Sequence, residues 1–364
     1  MSNPQTIYVT SGLEGGGAER LLTNILLQQT SRGDSIQVIS ILPGGAFRRT
    51  LEDAGINVID LGRKRDLLRA AIDLARIFRE VQPSTVYAWM YEANIVAFFA
   101  LLFAGLMPAR LFFGVFCTEL VPGYRGWKFR AVRALNALCS RFVTGVIYNA
   151  GEARAFHRSI GFRERRSIVI SNVVDPSVFQ HDPVHRCDFR KELGAQRNDI
   201  VVAVLARVDP MKDWETIRAA VRDLPNVITV ALGKSTDEFP PQHRFIGLGW
   251  REDVVRILSG TDIFLLGSAF GEGTSLALTE AMLCGLPCIA TDVGGNATLL
   301  GDAGVIVKTR NPHAIRDAIV ELANDPMRRA ALGRAARARA SEIVTFEDPV
   351  GQLHSLSIAG EAMR

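Results

Sequence analysis

Two glutamates with seven residues between them, Glu272 and Glu280, stand in the most chemically loaded stretch of the chain, FGEGTSLALTEAMLCGLPCIATDVGGN at residues 270–296. A strand-like run, Asp262–Leu266, leads into it through Gly267 and Ser268. Gly271 and Gly273 let the backbone approach a ligand closely, and the pattern predicts a helix opening near Ser275. Backbone N–H groups from Gly273 through Thr274, Ser275 and Leu276, with the positive end of the helix dipole, suit a diphosphate. A buried carboxylate facing a nucleotide can accept two hydrogen bonds from a ribose diol, a charge-assisted contact of roughly 1.5–3 kcal/mol. From spacing alone, the same two glutamates fit equally well as ordinary helix-terminus charges.

A second glycine run, Gly15, Gly16 and Gly17, follows the first strand-like segment and opens a helix carrying Glu19 and Arg20. It fits a dinucleotide-type turn only loosely, since GxGxxG is not matched; a plain strand-to-helix turn is the other reading. Six histidines lie apart from one another, and Cys284 and Cys288 have no companion ligands at zinc-site spacing, so no metal site is expected. The five cysteines, Cys117, Cys139, Cys187, Cys284 and Cys288, read as reduced buried thiols of a cytoplasmic enzyme.

These residues need a scaffold, and the chain supplies one in alternation. Short apolar or β-branched runs at Ile7–Ser11, Ile36–Ile41, Val58–Asp60, Thr85–Trp89, Leu111–Phe116 and Val143–Tyr148 are separated by helical patterns such as Glu19–Arg32, Leu67–Glu80 and Lys128–Ser140. A second series runs through Ile200–Ala206, Ile228–Leu232, Asp262–Leu266, Cys288–Thr291 and Gly304–Val307, with helices at Asp213–Leu224 and Leu276–Cys284. Alternation of this kind builds parallel sheets. Two Rossmann-like doubly wound α/β domains facing a central cleft are expected, residues 1–178 and 186–345, joined around 178–186. At 364 residues the chain has room for both.

Apolar residues make up 48% of the chain and charged residues 22%, with a net charge of +4. That excludes disorder and is too mildly basic to point to nucleic acid. The N-terminus lacks the pattern of a secretory signal. Ala93–Met107, the most lipid-like stretch, is shorter than the roughly 20 residues of a spanning helix and reads as a buried crossover helix.

The paired glutamates followed by EAMLCGLPCIATDVGG resemble the signature of the family 4 retaining glycosyltransferases of GT-B fold. GLEGGGAER at 12–20, IVISNVVDPSVF at 168–179, LARVDPMKDW at 205–214 and GVIVKTRNPHAIRDAI at 304–319 resemble further motifs of that family, in its order. The resemblance implies a hexosyltransferase-like enzyme of polysaccharide biosynthesis. It would move a sugar from a nucleotide sugar, first of all a UDP-sugar, to a glycan, lipid-linked or small-molecule acceptor. It implies that Glu280 holds the ribose, that Glu272 reaches the donor sugar, and that Arg207 and Lys212 hold the diphosphate. Gly16 and Gly17 would close over the reacting centre, and Gly249 and Trp250 would lie near the base. Two cations and a helix N-terminus suffice in kind to stabilise a departing diphosphate without a metal. No cofactor beyond the donor is expected, and a C-terminal helix at about 346–364 should pack back on the first domain.

Cys117, Thr118 and Glu119 stand where many members carry a histidine, and Thr298 stands where a glutamate is common. No enzymic nucleophile is apparent, so retention implies attack by the acceptor on the face the leaving group vacates. The acceptor falls to the N-terminal domain, where residues 124–142 mix Arg125, Lys128, Arg130, Arg133 and Arg141 with Trp127, Phe129 and Leu135. Such a helix suits anionic lipid, and hence an enzyme on the inner face of a membrane; it equally suits an ordinary helix packed on its sheet. An epimerase or phosphorylase on the same fold, or a silent nucleotide-sugar-binding subunit, are the alternative readings.

Overall fold

The computed structural model of the chain describes residues 6–63, 66–107, 110–118, 121, 124, 126–170, 174–346 and 348–358. Two compact units share them, one from the stretch up to Val173 plus the stretch from Asp348, the other from Val174–Glu347. The break thus falls before 178–186. Those residues belong to the second unit, where the Asp182 N–H donates to the Ser259 hydroxyl (3.1 Å).

The first unit runs β1 (Thr6–Thr10), α1 (Gly17–Ser31), β2 (Ile36–Ser40), α2 (Arg48–Asp53), β3 (Asn57–Asp60), α3 (Leu67–Val81) and β4 (Thr85–Trp89). It continues with α4 (Tyr91–Ala104), β5 (Arg110–Val115), α5 (Gly126–Cys139), β6 (Gly145–Tyr148), α6 (Gly151–Ser159) and β7 (Ser167–Val169). The second unit holds α7 (Pro183–Glu192), β8 (Ile200–Leu205), α8 (Trp214–Val221), β9 (Val227–Leu232), β10 (Phe245–Gly247), α9 (Val254–Gly260) and β11 (Ile263–Leu266). After these come α10 (Leu276–Leu283), β12 (Cys288–Thr291), α11 (Asn296–Leu300), β13 (Val305–Val307), α12 (Pro312–Asn324) and α13 (Pro326–Phe346). The last helix, α14 (Pro349–Ile358), returns to the first unit. There Asp348 pairs with Arg32 (2.9 Å), and the Leu353 carbonyl accepts from the Tyr87 hydroxyl (3.3 Å).

Both sheets are parallel, ordered β3-β2-β1-β4-β5-β6-β7 and β10-β9-β8-β11-β12-β13. Each reverses direction once, beside its first strand, as doubly wound sheets do. The fully buried runs TVYAW of β4 and VITVAL of β9 have no polar alternation because helices cover both faces. In the second unit, α8 and α12 cover one face, and α7 and α9 supply Phe189 and Ile257 to the other. In the first, α3, α4 and α5 bury Leu74, Phe78, Val96, Ala100 and Phe129 against β4 and β5.

Two short edge strands, β7 (SIV) and β10 (FIG), escape the sequence pattern; neither is an unbroken β-branched run like VIV of the equally short β13. α4 is the crossover helix expected in place of a spanning segment, and among the described residues no helix is long and apolar enough to cross a membrane. All five cysteines are free, but Cys187 is exposed and Cys117 half-buried, so the expectation of uniformly buried thiols fails at those two. Cys187 sits on the outward side of α7, a helix that buries Phe189.

A buried amide network locks the carboxyl ends of β4 and β5. Asn94 accepts from the Gly114 N–H (3.3 Å) and donates to Asn136 Oδ1 (2.9 Å). Asn136 in turn donates to the carbonyls of Tyr91 and Val132, both at 2.9 Å. These bonds surround Met90, a non-glycine residue held at φ 83°. Truncation in Asn136→Ala leaves the Asn94 amide and the Tyr91 carbonyl buried without this partner. Urea unfolding should show a loss of about 1–3 kcal/mol; an unchanged midpoint would count against a network that holds the turn.

Candidate functional site

In the second sheet the reversal lies between β8 and β11, so the loops after these strands part and leave a crevice at the carboxyl edge. Arg207 follows β8 by two residues, and Ser268 follows β11 by two. The Ala269 N–H donates to the Met211 carbonyl (2.8 Å), tying the loops together. Asp209 builds the first loop. One of its oxygens accepts from the Met211 N–H (2.9 Å), capping the short 3₁₀ turn Pro210–Lys212. The other accepts from Arg207 Nη2 (3.3 Å), and Trp214 Nε1 donates to the Arg207 carbonyl (3.0 Å). Asp213, at φ 48°, turns the chain into α8.

Lys212 leaves this turn to form an ion pair with Glu272, and the Ser268 hydroxyl donates to the same carboxylate oxygen. The side chains are 14% and 9% exposed, so the pair is largely out of water. Burial by itself would raise the Glu272 carboxyl. The Lys212 ammonium, the Ser268 hydroxyl and the Arg207 charge outweigh it and hold the group below the usual carboxylate range. Glu272 is therefore an ionised acceptor at neutral pH.

Gly271, at φ 80°, makes the turn between Phe270 and Glu272 possible. The Gly273 carbonyl accepts from the Gly295 N–H (3.1 Å), bracing the loop against the turn after β12. Ser275 caps α10, its hydroxyl accepting from the Leu278 N–H (3.4 Å). Thr274, Ser275 and Leu276 thus lie at the helix start, where the first N–H groups have no acceptor within the helix. Glu280, one turn further along α10, is 2% exposed. Gly249 stands at the end of β10 at φ 66°, bonded through its N–H to Thr236 Oγ1 (3.0 Å) and its carbonyl to the Gly233 N–H (2.9 Å). An added Cβ there would lie 3.0 Å from Asp237 Cγ. Trp250 beside it is 41% exposed.

The structure thus brings Arg207, Lys212, Glu272 and the Gly273–Leu276 segment to one switch point, and sets Gly249 and Trp250 along the same sheet edge. Gly16 and Gly17 belong to the first unit, at the carboxyl end of β1. Gly16 caps α1 with extended backbone, and Gly15 turns at φ 111°. Ser268 and Asp209 are participants that motif reading passed over. A hydroxyl and a carboxylate directly after the two central strands are the signal that could have found them.

In the first unit, Thr118 is buried after β5, while Glu119 and Arg125 lie outside the described residues. Sequence reading finds no histidine near this position, yet folding brings one. The Tyr91 hydroxyl meets Cys117 Sγ (3.2 Å) and His157 Nε2 (2.6 Å), and His157 Nδ1 donates to the Ala153 carbonyl (2.6 Å). Residue 157 lies 40 positions further along, on α6, so adjacency in sequence could not reveal it. Burial pushes the imidazole down to about 4, with the Ala153 carbonyl opposing and Arg133 assisting.

The match to known proteins follows this division. Residues 186–339 fit the model of glycosyl transferases group 1, and residues 15–178 fit that of glycosyltransferase family 4. The UDP-Gal:alpha-D-GlcNAc-diphosphoundecaprenol alpha-1,3-galactosyltransferase of Escherichia coli is 28% identical over 176 residues, 43% of this chain and 45% of that enzyme. The N,N'-diacetylbacillosaminyl-diphospho-undecaprenol alpha-1,3-N-acetylgalactosaminyltransferase of Campylobacter jejuni is 24% identical over 82% of this chain and 85% of its own. Anabaena HepE, solved with UDP and glucose, superimposes with a TM-score of 0.83 at 21% identity, covering 98% of this chain and 100% of its own. This chain belongs to the family 4 glycosyltransferases of GT-B fold. It spans less than half the length of the Escherichia coli relative it matches.

The buried neutral His157 makes a pH prediction. Its ring takes a proton near pH 6.5 in the unfolded chain but only near pH 4 in the fold, so the unfolded state binds more protons between these values. Its contribution to stability should be complete above pH 6.5 and fall by up to about 1.4 kcal/mol per pH unit towards pH 4. Chemical denaturation across this range should show a shallower dependence in His157→Gln than in the wild type; parallel curves would refute the assignment.

Proposed function

We propose that the chain is a retaining, metal-independent glycosyltransferase that takes a sugar from a UDP-sugar and delivers it to a glycan or lipid-linked acceptor. The observation that carries the reading is the convergence of the Lys212–Glu272 pair, Arg207 and the start of α10 at the switch point between β8 and β11. On this reading the diphosphate lies against the N–H groups of Gly273, Thr274, Ser275 and Leu276. Lys212 exchanges Glu272 for a phosphate oxygen, and Glu272 turns to the donor sugar's hydroxyls. Glu280 accepts from the ribose diol, with Gly249 and Trp250 at the base. Gly16 and Gly17 attend the reacting centre, and the first unit takes the acceptor.

The bond between the anomeric carbon and the phosphate oxygen breaks with its electron pair going to the diphosphate. Arg207, Lys212 and the helix start stabilise that charge. The acceptor hydroxyl attacks from the vacated face, and its proton passes to the departing diphosphate. Support for a UDP-sugar comes from the name of the Escherichia coli relative and from HepE, solved with UDP and with UDP-glucose. Support for a lipid-linked acceptor, and for work at the inner face of a membrane, comes from the diphosphoundecaprenol acceptors in the names of two relatives. Proton transfer and metal-free charge stabilisation require no cofactor beyond the donor.

Two measurements test the reading. A thermal-shift series with UDP, GDP, ADP and their sugars should select UDP compounds. Lys212→Ala should abolish the ligand-induced shift, and should also lower the ligand-free melting point, because the buried Glu272 carboxylate loses its cation. With donor and acceptor present, Lys212→Ala should lower kcat by roughly 10²–10³-fold, equivalent to about 2.7–4 kcal/mol at the barrier. Donor conversion without acceptor would indicate an epimerase, a strict need for inorganic phosphate a phosphorylase, and nucleotide-sugar binding without turnover a silent subunit.

A further inference from the structure

A helix that merely packs on its sheet turns polar residues outward; α5 does so too, but it also exposes large apolar ones. Its inward side is apolar as expected: Phe129 and Ala137 are buried in the core, and Leu135 packs against it. Yet Trp127, Ala131, Ala134 and Leu138, spaced by three and four residues, are all exposed, as is Phe142 in the turn just after the helix; the three large side chains are exposed by 73%, 54% and 65%. This second apolar stripe continues onto α4, where Leu102 and Phe103 are 50% and 40% exposed. The Phe98 ring of α4 lies 6.5 Å from the Phe142 ring in the turn after α5, and Phe99 joins Phe98 (5.5 Å) to Phe103 (6.1 Å).

The charges on this face share one sign. Lys128, Arg130, Arg133 and Arg141 flank the stripe, and α5 contains no carboxylate. Arg79 of α3 donates to the Phe103 carbonyl at the far end. Trp127, Arg130, Arg133 and Ile160 line a surface groove of about 420 Å³, with the Lys128 ammonium 5.9 Å from the Trp127 ring centre. An exposed apolar surface this continuous marks an interaction site. Lys128, Arg130, Arg133 and Arg141 form no ion pair among the described residues; such cations beside an exposed tryptophan match an anionic bilayer and not a mixed-charge protein surface.

We propose that the outer face of α4 and α5 docks on an anionic phospholipid bilayer. Leu102, Phe103, Leu138 and Phe142 enter the acyl boundary, and the groove between Arg130 and Arg133 receives a lipid phosphate. The inference rests on the proposed function for its purpose, which is to hold the first unit beside a lipid-linked acceptor; the docking itself needs no nucleotide.

Co-sedimentation without nucleotide provides the test. The full chain should bind vesicles of phosphatidylglycerol and phosphatidylcholine, and bind pure phosphatidylcholine at least tenfold more weakly. Leu138→Glu with Phe142→Glu should reduce binding to the mixed vesicles at least tenfold. Arg130→Glu with Arg133→Glu should do the same and remove the sensitivity to 0.5 M salt. UDP thermal shifts should stay as in the wild type for both double variants, which reports an intact second unit. Equal binding to both vesicle types, or wild-type binding by either double variant, overturns the proposal. So does a dimer in lipid-free sedimentation velocity that Phe142→Glu dissolves, since the stripe is then a contact between copies. Vesicle binding without any UDP shift sinks the UDP-sugar reading and leaves the docking standing; a UDP shift without vesicle binding does the reverse.

Discussion

A lysine and a glutamate removed from water must answer each other. Separating one from the other would strand an uncompensated charge in a low-dielectric interior, at a cost of about 3–5 kcal/mol. The Lys212–Glu272 pair is such an arrangement, and much of the second unit's local architecture exists to make it possible. The loops that supply its two partners come from β8 and β11, strands that are neighbours in space and 60 residues apart at the two charges. Ser268 adds a hydroxyl to the same carboxylate oxygen, and the Ala269–Met211 bond holds the loops in register. A pair made this way is poised as well as stable, because an arriving diphosphate offers the ammonium an alternative partner of greater charge.

The surrounding groups narrow what such a ligand can be. Asp209 splits its two oxygens between a backbone N–H and the Arg207 guanidinium, so the arginine is oriented without being withdrawn from the site. The α10 start contributes dipole and N–H groups that favour an anion, while Glu280 in its second turn offers an acceptor at the same helix. Arg207, Lys212 and the α10 start, which favour phosphates, thus meet the Glu272 carboxylate, an acceptor for hydroxyls, at one switch point. That combination suits a nucleotide sugar better than either a free nucleotide or a free sugar. The first unit is built differently: its switch region is organised by neutral amides and a tyrosine–histidine contact, with no comparable ion pair among the described residues.

The scaffold was legible where strands are central and helices long. Thr85–Trp89 and Cys288–Thr291 have the boundaries that their apolar runs predict, since a strand buried on both faces tolerates nothing else. β7 and β10 were not legible because SIV and FIG are too short and mixed to stand out as apolar runs, whereas VIV of the equally short edge strand β13 does. The site divides in the same way. Gly271, Glu272, Ser275 and Glu280 lie within ten residues and could be read together. Ser268 and Asp209 act only through partners, Glu272 and Arg207, and a side chain's partner is not a property of its neighbours in sequence.

Residue types, order and spacing determined by themselves that the chain forms doubly wound α/β units, that a helix starts at Ser275, and that it belongs among glycosyltransferase-like sequences. Those features depend on local periodicity and on motifs contiguous in the chain. Tertiary structure alone decided that Lys212 holds Glu272, that His157 from α6 reaches Tyr91 beside Cys117, and that α5 turns a second apolar face outward. Each of these depends on which side of a helix or which end of a strand meets another element. That choice is made by packing of the whole sheet, and no local stretch of sequence contains it.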